Sequence, residues 1–195
     1  MSSIRLILGD QLSESISSLE GYHPDTDIIL MCEVWNEFTH VKHHKKKIAF
    51  ILSAMRHFAE MLKQKSFKVE YTQLDNPDHT GSLNGEVKRA LSKYSVDRIV
   101  VTHPSEYRVL KDIRDLENEL NIPIEIKEDD RFLCSPEAFA NWASDRKQLR
   151  MEYFYREMRK QYDILMEDDK PIGNQWNYDA ENRKPPKEGL SLIHI

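Results

Sequence analysis

The sequence has few cysteines and no long apolar run, and both absences restrict what the chain can be. Cys32 and Cys134 are its only cysteines, so it can build neither a disulfide framework nor a site with four thiolate ligands. No run of about 18 apolar residues occurs, and the first residues lack the pattern of a signal peptide. We therefore expect a protein of the reducing cytoplasm that does not span a membrane.

The chain also lacks an excess of basic residues. It contains 28 Lys and Arg residues against 33 Asp and Glu residues, a formal net charge of −5. This balance excludes a protein that binds DNA over its whole surface, although it permits local basic patches. Neither G-x-G-x-x-G nor G-x-x-x-x-G-K-[ST] occurs, which excludes a dinucleotide dehydrogenase and a P-loop ATPase.

Short apolar segments alternate with amphipathic segments through the first 130 residues. The predicted strands are Ile4 to Leu8, Asp27 to Cys32, Lys68 to Leu74, Arg98 to Thr102 and Ile122 to Ile126. The predicted helices between them are Ser13 to Leu19, His43 to Lys63, Leu83 to Tyr94 and Tyr107 to Leu120. This alternation predicts an α/β fold with a Rossmann-like, doubly wound, five-stranded parallel sheet. Pro123 lacks a backbone donor, so the last strand is expected at an edge.

The pattern changes after residue 130. Ser135 and Pro136 mark the start of a helix that runs to Ala143, and a second helix is predicted from Lys147 to Met166. The second helix has an aromatic and methionine stripe flanked by Arg and Lys: Met151, Phe154, Tyr155, Met158, Tyr162 and Leu165. The stripe favours a domain interface over direct contact with nucleic acid, and it could also pair two copies of the chain.

These changes predict three regions. Residues 1–130 form an α/β ligand-binding domain, residues 131–190 a helical extension, and residues 191–195 a non-native or disordered tail. Ligands of a doubly wound sheet bind beyond the carboxyl ends of the strands. The loops expected there are 9–11, 33–42, 75–82 and 103–106. Gly9 permits close backbone approach to a ligand, while Asp10 and Gln11 offer hydrogen-bonding groups; a plain turn is the alternative.

Histidines cluster before the long predicted helix. His40, His43 and His44, with Glu37, could be read as metal ligands. The neighbouring lysines would compete with a cation, so no metal site is predicted. A solvated basic helix start is one alternative, and binding of an anion or a polar ring at the helix amino terminus is another. Cys32 is read as an inert core thiol.

Several strings together resemble the deoxyribodipyrimidine photolyase-related proteins, which include iron-sulfur bacterial cryptochromes and (6-4) photolyases. They are Leu8-Gly9-Asp10-Gln11-Leu12, Cys32-Glu33-Val34, residues 43–50 (HHKKKIAF), residues 53–59 (SAMRHFA), residues 106–109 (EYRV), residues 151–156 (MEYFYR) and residues 176–179 (WNYD). The resemblance extends to about Leu190. The chain departs from the family at His40, where Tyr is common, at residues 103–105 and at Asn174.

The resemblance implies the amino-terminal antenna domain of a longer light-driven DNA repair enzyme or photoreceptor. It implies a light-harvesting 6,7-dimethyl-8-ribityllumazine here, with FAD, a 4Fe-4S cluster and the site for UV-damaged DNA in a further carboxyl-terminal domain. The chain itself would have no catalytic residue and no lyase activity. By position the resemblance implies a lumazine site lined by Gly9, Asp10, Gln11, Cys32, Val34, Glu37, His43 and Ile51, with His40 beside it.

Two other functions remain open from the residues alone. A stand-alone module for nucleotides or phosphate would use the same loops. A protein-interaction module would use the helix at 147–166 and would need no ligand site.

Overall fold

The computed structural model describes residues 1–179, and contacts divide the chain into two compact units. The first unit is Met1–Ser135 and the second begins at Pro136. The sequence had placed this division after residue 130. The predicted tail 191–195 and the end of the predicted extension lie outside the described residues.

A five-stranded parallel sheet forms the centre of the first unit. Its strands are β1 (Ser3–Leu6), β2 (Ile28–Cys32), β3 (Val69–Thr72), β4 (Arg98–Thr102) and β5 (Ile124–Lys127). The strand order is β3-β2-β1-β4-β5, and every pairing is parallel. The predicted α/β Rossmann-like class is therefore confirmed, with the β5 segment at an edge. The order reverses at β1, because β2 and β4 lie on its two sides.

The helices of this unit connect successive strands. They are α1 (Trp35–Thr39), α2 (Lys45–Gln64), α3 (Leu83–Lys93) and α4 (Tyr107–Glu119). Three of the four predicted helices are present, with ends that differ from the prediction by at most two residues. The short helix α1 was not predicted.

The predicted helix from Ser13 to Leu19 is wrong. Only the single 3-10 turn Ser17–Leu19 forms there. The Ser17 hydroxyl bonds outside a helical ladder, with Thr102 Oγ1 at 2.9 Å and with the carbonyl oxygen of Glu128 at 2.6 Å. Such bonds compete with the helix and hold this segment against the end of β4.

Apolar side chains fill both faces of the sheet. Ile29 and Met31 of β2 pack with Met55, Phe58 and other residues of α2 on one face. The alternate residue Leu30 points to the opposite face, where residues of α3 and α4 cover the sheet. Helices on both faces explain why the central strands are apolar without alternation.

Both edge strands of the sheet carry charged side chains. In β3, Glu70 pairs with Lys93, with 2.7 Å between Oε1 and Nζ. In β5, Glu125 accepts from Arg98 at 2.8 Å, and Lys127 follows two residues later. Charges of this kind oppose edge-to-edge pairing with another sheet.

The described part of the second unit, residues 136–179, contains two helices and a short hairpin. They are α5 (Pro136–Ser144), α6 (Met151–Gln161), β6 (Met166–Glu167) and β7 (Lys170–Pro171). Phe154 of α6 packs edge to face against Phe139 and Trp142 of α5, with ring centroids 5.3 and 5.0 Å apart. The predicted stripe is thus only partly buried, because Met151 remains 71% exposed. None of the helices described through residue 179 combines the length and the apolarity needed to cross a membrane.

Candidate functional site

A cavity of about 460 Å³ opens at the carboxyl end of the sheet, where the strand order reverses. Its walls come from the segments that follow β1, β2 and β4 and from the first turns of α2. The lining residues are Ile7, Leu8, Gly9, Asp10, Cys32, Glu33, Val34, Glu37, Phe38, His40, His43, Lys47, Ile48, Ile51, Met55, Leu83, Pro104, Ser105, Glu106 and Val109. The volume lies within the roughly 300–1,000 Å³ range of small-molecule sites.

Eight of the nine residues predicted for a site line this one cavity. They are Gly9, Asp10, Cys32, Val34, Glu37, His40, His43 and Ile51. The parallel sheet brings together residues that are far apart in the chain because the carboxyl ends of its strands lie at the same edge. Their placement is a structural observation, and their binding of a chromophore stays a prediction.

Gln11 does not line the cavity. Its side chain is fully buried, and Nε2 donates to the carbonyl oxygen of Thr102 at 3.0 Å. The amide therefore ties the loop after β1 to the end of β4. Its adjacency to Gly9 and Asp10 in sequence could not distinguish this structural role from ligand binding.

Apolar side chains form much of the cavity wall, and the absence of a side chain at Gly9 leaves room for Met55. A Cβ atom on residue 9 would lie 3.1 Å from Sδ of Met55 and 3.8 Å from Cγ2 of Ile51. The missing side chain therefore lets α2 approach the loop after β1 closely. A flat apolar ring is the type of ligand that such a wall accommodates.

An ion cluster lies across the mouth of the cavity. Arg108, in the first turn of α4, donates from Nη2 to both carboxylate oxygens of Glu37 on α1 at 3.0 and 2.9 Å. Its Nε donates to Oε1 of Glu106 at 2.9 Å. The hydrogen bond from Arg108 lowers the pKa of Glu106, so this carboxylate stays ionised. The cluster connects α1 to α4 and makes the mouth acidic.

The histidines have separate roles at the start of α2. The rings of His40 and His43 meet edge to face with centroids 5.4 Å apart, and both residues line the cavity. His44 instead caps α2, since its Nδ1 accepts from the backbone N–H of Lys46 at 3.1 Å. Among residues 1–179 no group of three or more His, Cys, Asp and Glu is placed to hold a metal ion.

A buried carboxylate anchors the loops behind the cavity. Glu33 accepts from Arg56 Nε at 2.6 Å, from Tyr71 Oη at 2.7 Å and from the backbone N–H of Leu74 at 3.0 Å. Burial alone would raise the pKa of Glu33, but these hydrogen bonds outweigh it and lower the pKa. The predicted loop 75–82 is held here too, because His79 Nε2 bonds the carbonyl oxygen of Glu33.

Cys32 lines the cavity but is a poor nucleophile. Burial raises the pKa of its thiol to about 12, with the negative charge of Glu86 adding to the effect. A thiol with this pKa remains protonated at neutral pH. Its burial and raised pKa agree with the reading of Cys32 as an inert core thiol.

Met55, Glu106 and Arg108 are among the contributors to the site that sequence reasoning missed. Met55 was counted only as a core residue, and Glu106 and Arg108 were noted only as part of a loop and a family string. The signal for Met55 was its place one helical turn after Ile51. No sequence signal paired Arg108 with Glu37, which lies 71 residues away.

The fold and cavity define a parallel α/β domain with a crevice at its topological switch point. Residues 5–194 match the family model described as "Deoxyribodipyrimidine photo-lyase-related protein". The chain therefore belongs to this family, and the resemblance noted in its motifs is confirmed.

Two curated relatives differ in length. A "(6-4) photolyase" of Agrobacterium fabrum is 50% identical over 190 residues, which cover 97% of this chain and 38% of the relative. The chain thus spans about two fifths of that protein. "Uncharacterized protein R852" of Acanthamoeba polyphaga mimivirus is 25% identical over 193 residues, with 94% of this chain and 95% of the relative covered.

Proposed function

We propose that the chain is the antenna portion of a photolyase- or cryptochrome-like flavoprotein and that its cavity binds a lumazine-type chromophore. The observation that carries the proposal is the apolar crevice beside Gly9, lined by eight of the nine residues that the family resemblance pointed to. The match to part of a (6-4) photolyase supports the same assignment.

The residues fit a flat heterocycle with a hydroxylated chain. Ile48, Ile51 and Met55 would contact the ring faces, because they provide a continuous apolar wall on α2. Asp10 and His43 would hydrogen-bond the polar ring edge or the ribityl hydroxyls. The bound lumazine would supply absorption of near-UV or blue light and transfer of excitation, while the chain supplies binding and orientation.

The activity of the whole protein would require further sequence. In this proposal FAD, a 4Fe-4S cluster and the site for UV-damaged DNA belong to a carboxyl-terminal domain. This chain carries only Cys32 and Cys134, so it cannot ligate a four-cysteine cluster itself. The parent protein would be a light-driven carbon-carbon lyase or a related photoreceptor, and this chain alone would repair no DNA.

The acidic mouth argues against the nucleotide or phosphate alternative. Asp10, Glu37 and Glu106 lie at the cavity, and Arg108 is already bound to two of them. His44 also occupies an N–H group at the start of α2. Lys47 also lines the cavity and would attract a phosphate, but the three carboxylates would repel it. An uncharged ring would not meet this repulsion.

Titration with 6,7-dimethyl-8-ribityllumazine tests this proposal. We expect saturable binding, measured by the quenching of ligand fluorescence. ATP and FMN should not compete with the lumazine. Ile48→Trp should abolish binding because the indole ring would fill the apolar part of the cavity. Ala49→Trp is the matched control, since residue 49 is exposed on the same helix and does not line the cavity.

Two results would contradict the chromophore assignment. The first is that the folded protein does not bind lumazine. The second is that Ile48→Trp binds lumazine as tightly as the wild-type protein does. Competition by ATP at concentrations similar to those of lumazine would favour the nucleotide module instead.

A further inference from the structure

A basic groove lies beside α6 in the second unit, independent of the chromophore cavity. It has a volume of about 450 Å³ and is lined by Arg146, Lys147, Gln148, Tyr153, Arg156, Glu157 and Lys160. Four of these seven side chains are cationic and one is anionic. The groove therefore has the charge that attracts a polyanion.

The positive charge is concentrated in one short segment. Residues 145–160 contain six basic and three acidic residues, a formal charge of +3, in a chain whose total is −5. Arg146 pairs with Glu157 at 2.7 Å, and Arg156 pairs with Glu152 at 2.5 Å. Lys147 and Lys160 have no carboxylate partner within residues 1–179, so their charges are not locally neutralised.

An aromatic ring lies among these cations. Tyr153 lines the groove and is 49% exposed, and the guanidinium of Arg156 lies 5.9 Å from its ring centroid. The same guanidinium lies 5.3 Å from the ring of Trp176, and Lys160 Nζ lies 5.8 Å from it. Contacts of Arg156 with two rings hold the cation in place beside the exposed face of Tyr153.

We propose that this groove binds a single-stranded polynucleotide. Lys147 and Lys160 would neutralise two phosphates of the strand, and Tyr153 would stack on a base. Cations that follow a backbone, together with an accessible aromatic ring, are the two components of single-strand recognition. An acidic peptide would satisfy the cations but would leave the ring without a stacking partner.

Salt dependence of binding tests the electrostatic part of the proposal. A fluorescein-labelled oligothymidylate of about twelve nucleotides is titrated with the full chain, and anisotropy is recorded at several salt concentrations. The double variant Lys147→Gln/Lys160→Gln removes two phosphate contacts. It should reduce the slope of log K against log salt by about 1.4. Lys45→Gln/Lys46→Gln makes the same charge change at the start of α2 and should leave the slope unchanged.

Base stacking is tested with Tyr153. Tyr153→Ala should weaken oligothymidylate binding about tenfold, as expected for one stacked base, and should not change binding of an abasic oligomer of equal length. Tyr153→Phe keeps the ring and should restore wild-type affinity. The proposal is overturned if Tyr153→Ala weakens binding of the abasic oligomer as much as that of oligothymidylate. It is also overturned if duplex DNA or polyglutamate binds more tightly than oligothymidylate, or if the Lys45/Lys46 variant changes the salt slope as much as the Lys147/Lys160 variant.

Discussion

At the scale of single residues, Glu33 determines how the loops behind the cavity are held. Its side chain is fully buried, while its partner Arg56 is 47% exposed. The carboxylate bonds Tyr71 and Leu74, which belong to β3 and the segment after it, as well as α2 through Arg56. One buried charge therefore fixes the relative positions of three segments around the site.

We predict that Glu33→Ala destabilises the protein strongly. Removal of the carboxylate leaves Tyr71 Oη and the N–H of Leu74 without their acceptor, and we expect a loss of about 3 kcal/mol in the free energy of unfolding. Urea denaturation measures this loss. Glu14→Ala removes an exposed ion pair with Lys65 and should cost less than about 1 kcal/mol.

The same carboxylate predicts a pH dependence. The pKa of Glu33 is lower in the folded protein than the ordinary glutamate value of 4.5, so the folded state binds fewer protons than the unfolded state at acidic pH. Its stabilisation is complete above that value and is lost as the pH falls below it. Glu33→Ala should thus lose less stability than wild type between about pH 5 and pH 3. An identical loss in both proteins would contradict this assignment.

At the scale of secondary structure, α1 is the least anchored element of the site. It has five residues and none is buried. Its contacts include the ion pair from Glu37 to Arg108 and a backbone bond from Asn36 to the carbonyl oxygen of Gly81 at 3.2 Å. The ion pair therefore carries much of the attachment of α1 across the cavity mouth.

We predict that Arg108→Gln loosens α1 selectively. Amide hydrogen exchange in residues 35–40 should accelerate by about fivefold, because a partly exposed ion-pair network contributes up to roughly 1 kcal/mol. Exchange in the middle of α2 should not change. Lys111→Gln, which breaks an exposed pair on the same α4 helix, is the control and should leave α1 as in wild type. Uniform acceleration in both helices would indicate general destabilisation instead.

The sequence predicted those elements that have a clear hydrophobic period. Residues 98–102 are a strand with the predicted ends, and the spacing from Ile48 to Leu62 identified α2. The helix from Ser13 to Leu19 was wrong because the Ser17 hydroxyl bonds groups far along the chain, which a local pattern cannot show. Helix α1 was missed because it has no buried face and therefore no period.

The candidate site was predictable for a topological reason. Parallel strands bring their following loops to one edge, so Gly9, Cys32 and Glu37 could be grouped before any coordinates were known. Gln11 shows the limit of this reasoning, because the direction of its side chain depends on the acceptor offered by Thr102. The Arg108 cluster depends likewise on the docking of α1 against α4.

At the scale of the whole molecule, the two proposed sites lie in different units. All residues that line the cavity precede Ser135, and all that line the groove follow Pro136. The division allows each site to be tested without the other.

We predict that a chain ending at Ser135 keeps the cavity and loses the groove. The sheet and both hydrophobic clusters lie within residues 1–135, so the shortened chain should unfold cooperatively in urea. Its lumazine affinity should remain within about twofold of the full chain, a difference of less than 0.5 kcal/mol, while oligothymidylate binding should disappear. A folded 1–135 chain that no longer binds lumazine would show that the second unit contributes to the cavity.

The charged borders of the open sheet have a consequence for behaviour at high concentration. Within residues 1–179 neither edge strand offers an uncharged surface on which a second molecule could extend the hydrogen-bonded sheet. Glu70 lies on one edge strand, and Glu125 and Lys127 lie on the other. Crowded solutions of the protein should consequently resist fibril growth, even though its sheet does not close into a barrel.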